Sequence, residues 1–248
     1  MKRFISPAAL VLVLAALALP AVAIAKIVEL GATKTGVTAP VCPPSTVKHP
    51  QQCTIILTRS TALETMRDGI AFPTKATHAG EIVAFTLGIS ALSSNRKTRK
   101  QYIHNLDQAY GGVTLAAVTV LKQVGSASNL RWEVVAESPY IHLEPYLGQV
   151  VQFPLQTNLP IARGEVVAIT TPTWAPILTI DVSPKSFAYR QSRSANCGNP
   201  PATQQAQTTP GSVTSYKCLY DGTRPEYTAT EVLSPVPPKN YVHAGDRG

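Results

Sequence analysis

Proline punctuates this chain too densely for long helices: 21 of 248 residues, against about 5% in ordinary soluble proteins. A proline inside a helix removes a backbone donor and clashes with the preceding turn, so helices between prolines stay short. The segments it leaves have the chemistry of strands. Trp132, Val134 and Ala136 alternate with Arg131, Glu133 and Glu137, and Leu178, Ile180 and Val182 alternate with Thr179 and Asp181. That period of two marks a half-buried strand. The runs 54–58, 81–87, 114–121, 149–153 and 165–170 are apolar and β-branched on both faces, as in strands near the middle of a sandwich. Further strands are expected at 187–191, 215–220 and 227–233. Short strands separated by turn residues predict an all-β fold, an antiparallel two-sheet sandwich of jelly-roll type with one short helix. The echo of Gly80-Glu81-Ile82-Val83-Ala84 in Gly164-Glu165-Val166-Val167-Ala168 fits two strands entered from similar turns.

The helix is expected between Asn95 and Gly111, where Tyr102, Leu106 and Tyr110 recur four residues apart and Ile103 widens the stripe. Asn95 suits the N-cap, and Gly111-Gly112 suits the stop. Its start carries Arg96, Lys97, Arg99 and Lys100, the densest charge cluster of the chain.

The N-terminus has the three parts of an export signal: Lys2 and Arg3, an apolar run over 8–19, and small residues around Ala21-Val22-Ala23 and Ala23-Ile24-Ala25. The apolar run is shorter than the roughly 20 residues of a spanning helix. A cleaved signal peptide over 1–25 is therefore expected, with no membrane span once it is removed. Residues 26–234 then form a single β-sandwich domain, and the polar, Pro-rich 235–248 a disordered tail. Four cysteines in an exported chain predict disulfides. Of the three pairings possible, the local one is expected, Cys42 with Cys53 and Cys197 with Cys218. A secreted, extracellular protein follows from these features together. The formal net charge is +8, falling by two without Lys2 and Arg3, a balance that favours anionic partners.

No motif carries catalysis. The histidines His49, His78, His104, His142 and His243 are dispersed, no HExxH or Gly-x-Ser-x-Gly occurs, and no calcium-loop or zinc spacing is present. Neither a metal nor another cofactor is called for. Glu133 and Glu137 would share a strand face but lie about 13 Å apart, too far for a glycosidase pair. Glu81, Glu144, Glu165 and Asp181 would have to be brought together by the fold. Two features suit binding better. Trp174, in Pro172-Thr173-Trp174-Ala175-Pro176, a rigid connection expected between two strands, would either stack on a sugar or plug the end of the sandwich. Arg96, Lys97, Arg99 and Lys100 would hold an anionic polymer, without sequence-specific recognition of nucleic acid.

Several segments resemble a group of secreted proteins known from actinobacterial genomes. They are Val41-Cys42-Pro43 with Cys53, Tyr110-Gly111-Gly112, the stretch from Gln152 to Ile161, Pro172-Thr173-Trp174-Ala175-Pro176, and Tyr216-Lys217-Cys218 followed by Tyr227-Thr228-Ala229-Thr230. The resemblance spans about residues 40 to 235 and implies export, a β-sandwich and two local cysteine pairs. That group has no assigned activity, so no catalytic residue is carried over, and Asp221-Gly222-Thr223 departs from its pattern. The expectation is a secreted, non-catalytic binding or surface-associated protein for carbohydrate or an anionic cell-envelope polymer. The alternatives are a polysaccharide hydrolase or lyase, which rests on fold analogy, and a structural or protein-partner module.

Overall fold

The computed structural model describes residues 26–44, 53–195, 197–198 and 205–234. The expected signal peptide, tail, His49 and His243 lie outside them. Among the described residues there are fifteen strands and one α-helix, in the order β1 (Ile27–Leu30), β2 (Leu57–Arg67), β3 (Ile70–Ala71), β4 (Gly80–Gly88), α1 (Arg96–Tyr110), β5 (Leu115–Val124), β6 (Arg131–Glu137), β7 (Ile141–His142), β8 (Val150–Ile161), β9 (Val166–Ala175), β10 (Leu178–Ile180), β11 (Ala188–Gln191), β12 (Val213–Ser215), β13 (Cys218–Asp221), β14 (Thr223–Pro225) and β15 (Tyr227–Leu233).

Two antiparallel sheets make the layers. The smaller has the order β1-β15-β4-β8, the larger β12-β6-β5-β9-β2-β11-β13, and β10 pairs with β14 alone. The two edges of the larger sheet, β12 and β13, are separated in the chain by Tyr216 and Lys217 only. That short link bends the sheet into a half-barrel, packed against the smaller sheet on its convex side. Alternation then gives the inner strands β5, β9 and β2 of the larger sheet two buried faces. Leu57, Val118, Val120, Val167 and Ile169 meet Ile82, Phe85, Leu87 and Phe153 between the sheets, and Leu63, Leu121, Trp132, Val134, Val166 and Tyr216 fill the concave side. Each such side chain removed from water contributes about 1.5–3 kcal/mol. Tyr227 of the smaller sheet spans the layers, its hydroxyl donating to the Val167 carbonyl at 2.9 Å.

The antiparallel sandwich with one helix is the fold expected from the strand pattern. Several runs differ in extent: the 149–153 and 165–170 runs continue to Ile161 and Ala175, and the 178–182 run stops at Ile180. The 54–58 run belongs to a strand that continues to Arg67, through Ala62-Leu63-Glu64-Thr65-Met66-Arg67, residues with no strong strand preference. The 215–220 run is split at Tyr216 and Lys217 between β12 and β13. Strand β8 keeps Pro154 and Pro160 because it is an edge strand, where a missing N–H leaves no partner unsatisfied. Gly80 is required by close approach, since a Cβ there would lie 2.6 Å from the Val232 carbonyl oxygen. The disulfides are Cys42–Cys53 and Cys197–Cys218, with Cα atoms 5.4 and 5.2 Å apart. Two such bonds suit an oxidising compartment, and among the described residues no helix is long and apolar enough to cross a membrane.

Candidate functional site

Helix α1 begins where Asn95 accepts a hydrogen bond from the Thr98 amide at 3.0 Å, and ends where Gly111, at φ 83°, takes the left-handed turn. Its inward stripe is Arg99, Ile103, Leu106 and Tyr110, all half-buried, whereas Tyr102 points outward. Trp174 fastens this stripe to the sheet. The indole N–H donates to Asp107 Oδ1 at 2.9 Å and to the Gly112 carbonyl at 3.1 Å. Arg59 adds a bond from Nε to the Tyr110 carbonyl at 3.1 Å. It reaches there from a bulge between Thr58 and Ser60, at φ 42°. Trp174 lies within β9, not in a connection between strands, and is wholly buried. Its indole therefore plugs the end of the sandwich under α1 and presents no face to a sugar ring.

The other face of α1 is exposed and carries Arg96, Lys97 and Lys100. Arg99 is turned partly inward, its Nε donating to the Ser93 carbonyl at 3.0 Å. The first turn holds no acid, and the helix's one acid, Asp107, is engaged by the buried indole. Cations at a helix N-terminus oppose its dipole by about 0.3–1 kcal/mol each, and the neighbours Arg96–Lys100 and Lys97–Lys100 repel one another. The arrangement is thus unfavourable to the isolated helix and attractive to an anion.

A second polar group lies on the concave side of the larger sheet. The hydroxyls of Thr61, Thr170 and Thr119 form a chain across three strands, with Oγ1 separations of 2.9 and 2.6 Å. Glu137 continues it. A bulge opposite Val120 and Leu121 pairs Glu137 with Thr119, while Val134 pairs with Leu121 and Glu133 with Lys122. Glu137 consequently faces the concave side and Glu133 the other, which corrects the shared face expected from simple alternation. Burial pushes the Glu137 carboxyl up to about 7, against the opposing effect of hydrogen bonds from Tyr140 and Thr119. The Tyr140 hydroxyl donates to it at 2.8 Å, and burial with this carboxyl raises the phenol strongly. Gln207 closes the deeper end. It accepts from Tyr216 at 2.5 Å and donates to the Trp132 and Ser212 carbonyls at 3.1 and 3.0 Å.

Between the sheets lies an ionic cluster that periodicity alone does not reveal. Glu64, Arg67, Arg224 and Glu226 are all buried. Arg67 Nη1 is 3.6 Å from Glu64 and Nη2 is 3.8 Å from Glu226, and Nη1 also donates to the Tyr227 carbonyl at 2.8 Å. Arg224 binds Glu226 directly through Nε at 2.9 Å and lies over the Phe187 ring at 5.3 Å. The Glu226 carboxylate accepts from the Thr38 amide at 3.1 Å and from the Thr179 hydroxyl. Burial pushes the Glu64 carboxyl up to about 8, although Arg67 and Arg224 draw it down. The signal available in the sequence was an acid and a base three residues apart, Glu64 and Arg67, beside Ala62, Leu63 and Met66.

The remaining acids do not gather. Glu81 is exposed on the smaller sheet and accepts from Asn158 at 2.8 Å, and Glu144 is exposed 3.6 Å from His142. Glu165 accepts from the Ala162 amide at 2.8 Å in the turn before β9, and Asp181 lies exposed beyond β10. No cluster of three metal-ligating side chains occurs among the described residues. Of the described tyrosines only Tyr102 is exposed. Comparison with protein-family models, curated proteins and solved structures found no match.

Proposed function

We propose that the protein is a secreted, non-catalytic binding protein of the cell envelope, and that the outward face of α1 docks an anionic polymer. The observation that carries this reading is the exposed cluster Arg96, Lys97 and Lys100, flanked by Arg99, on a helix whose single acid is turned inward to Trp174. The two disulfides support work in an oxidising compartment, and the export signal read at the N-terminus supports release. Stacking on carbohydrate has less support, because the indole of Trp174 is buried. The hydrolase or lyase reading has less again, with Glu81, Glu133, Glu144, Glu165 and Asp181 spread over separate strands and turns.

The test is retention on a polyanion column. Replacing Arg96, Lys97, Arg99 and Lys100 together by Gln is expected to abolish retention at moderate salt while leaving the circular dichroism spectrum unchanged. Retention equal to that of the parent protein rejects the helix as the docking element.

A further inference from the structure

The segment after β1 crosses the molecule as a strap. Residues 33–41 belong to no helix or strand, and among the described residues no backbone–backbone hydrogen bond ties them to either sheet. Two carboxylates seat them instead. At the near end Asp68, in the turn between β2 and β3, accepts from the Thr33 hydroxyl at 2.7 Å and from the amide and hydroxyl of Thr35, both at 2.6 Å. In the middle the buried Glu226 accepts from the Thr38 amide at 3.1 Å and from its hydroxyl at 3.3 Å, and Arg224 donates to the same hydroxyl at 3.4 Å. Strand β4 makes room for the crossing at Gly88, where a Cβ would stand 1.9 Å from the Thr38 carbonyl oxygen. The far end passes through the buried Pro40 to Cys42, which is bonded to Cys53 just ahead of β2.

The two disulfides stand in different surroundings. Cys218 is wholly buried in β13 and paired in register with Gln191 of β11, so it stays in the sheet when its bond to Cys197 is broken. Cys42 is exposed and Cys53 half-buried, and neither lies in a strand. Exposed disulfides are the ones that a thiolate reaches and exchanges with. We infer that Cys42–Cys53 is a thiol-exchange site that works as a latch: a dithiol that opens it frees the strap from the Arg224–Glu226 pair while the sandwich stays folded. One thiolate of the dithiol attacks the exposed Cys42 sulfur, and Cys53 leaves as a thiolate and takes up a proton. The second thiol then displaces Cys42, which takes up the other proton, and the dithiol is oxidised to its own disulfide. With the bond closed the two Cα atoms are 5.4 Å apart. Once it is open, their sequence separation of 11 lets them part by up to about 36 Å. What then holds the strap is a handful of side-chain hydrogen bonds, and a segment with so few ties opens locally at little cost. The latch is independent of the docking role of α1.

The full chain is titrated with dithiothreitol without denaturant, quenched by alkylation and mapped by peptide mass. Cys42 and Cys53 are expected to be alkylated at about tenfold lower dithiothreitol than Cys197 and Cys218, with the circular dichroism of the sheets unchanged. In that partly reduced protein the Thr38 amide should exchange its hydrogen about tenfold faster than in the oxidised one, as local opening requires, while the amides of β4 and β15 stay slow. Replacing Cys42 and Cys53 together by Ser should speed Thr38 to the same degree with no reductant present. Reduction of both disulfides at the same dithiothreitol concentration, or loss of the sheet signal with the first alkylation, overturns the latch. So does a Thr38 amide that stays as slow after selective reduction as before it.

Discussion

Glu64 is wholly buried in β2, and burial holds its carboxyl near 8, so it is a neutral acid at neutral pH. The charges around it then balance. Arg67 and Arg224 are opposed by Glu226 and by Asp68. Burial pushes the Asp68 carboxyl up, but hydrogen bonds from Thr35 and Thr33 outweigh it and hold the group at about 2. A carboxyl raised in the folded state binds its proton more tightly there than in the unfolded chain. Its contribution to stability is present in full below the unfolded value and is lost as pH rises through the folded one. For Glu64 the window runs from 4.5 to about 8, and for Glu137 from 4.5 to about 7. The urea midpoint should therefore fall as pH climbs through that range. Glu64→Gln, which keeps the shape and cannot ionise, should remove much of the fall, on the order of a few kcal/mol for a fully buried group. Parallel curves for parent and variant would show that Glu64 ionises normally in the fold.

At the scale of elements, α1 is joined to the sandwich through few contacts. No residue of it is fully buried, and a helix of its length is marginal on its own in water. Trp174 and Arg59 hold its second half to the sheet. Trp174→Phe would keep most of the packing and delete both indole hydrogen bonds, to Asp107 and Gly112. Hydrogen exchange should then accelerate at the α1 amides and stay slow in β4. Acceleration spread evenly over both would remove the indole from its anchoring role. The helix was legible in the sequence because its cap, its stripe and its stop are local features. The face of Glu137 was not, because a bulge at the β5–β6 pairing inserts one residue and reverses the alternation. The expected strand at 54–58 is shorter than β2, which runs on to Arg67, for a different reason. The second half of β2 is made of residues equally suited to helix, and burial between β9 and β11 overrides that preference.

Over the whole molecule, the larger sheet curls because β12 and β13 close on each other through Tyr216 and Lys217. The Cys197–Cys218 disulfide starts at that closure, tying β13 to the segment after β11. Its sequence separation is 21 residues, and cross-linking a loop of that size removes unfolded-state entropy equivalent to about 3 kcal/mol. Replacing Cys197 and Cys218 together by Ser should lower the stability measured by denaturant by about that amount. The same change should loosen Gln207, the side chain that closes the concave core against Tyr216 and Trp132. An unchanged midpoint would mean that the half-barrel closes without help from the crosslink.

What the amino-acid order determined alone is whatever depends on neighbours a few residues apart: the short strands between prolines, the capped helix with its basic start, and the pairing of nearby cysteines. Tertiary structure decided which acids and bases meet. Glu64 and Arg67 find Arg224 and Glu226 from the opposite end of the chain, Thr61, Thr119 and Thr170 join across three strands, and the Trp174 indole turns inward to Asp107. The physical reason is that strand pairing links residues by register and bulge, which local periodicity does not encode, and only the closed fold supplies the burial that shifts a carboxyl or seals an indole.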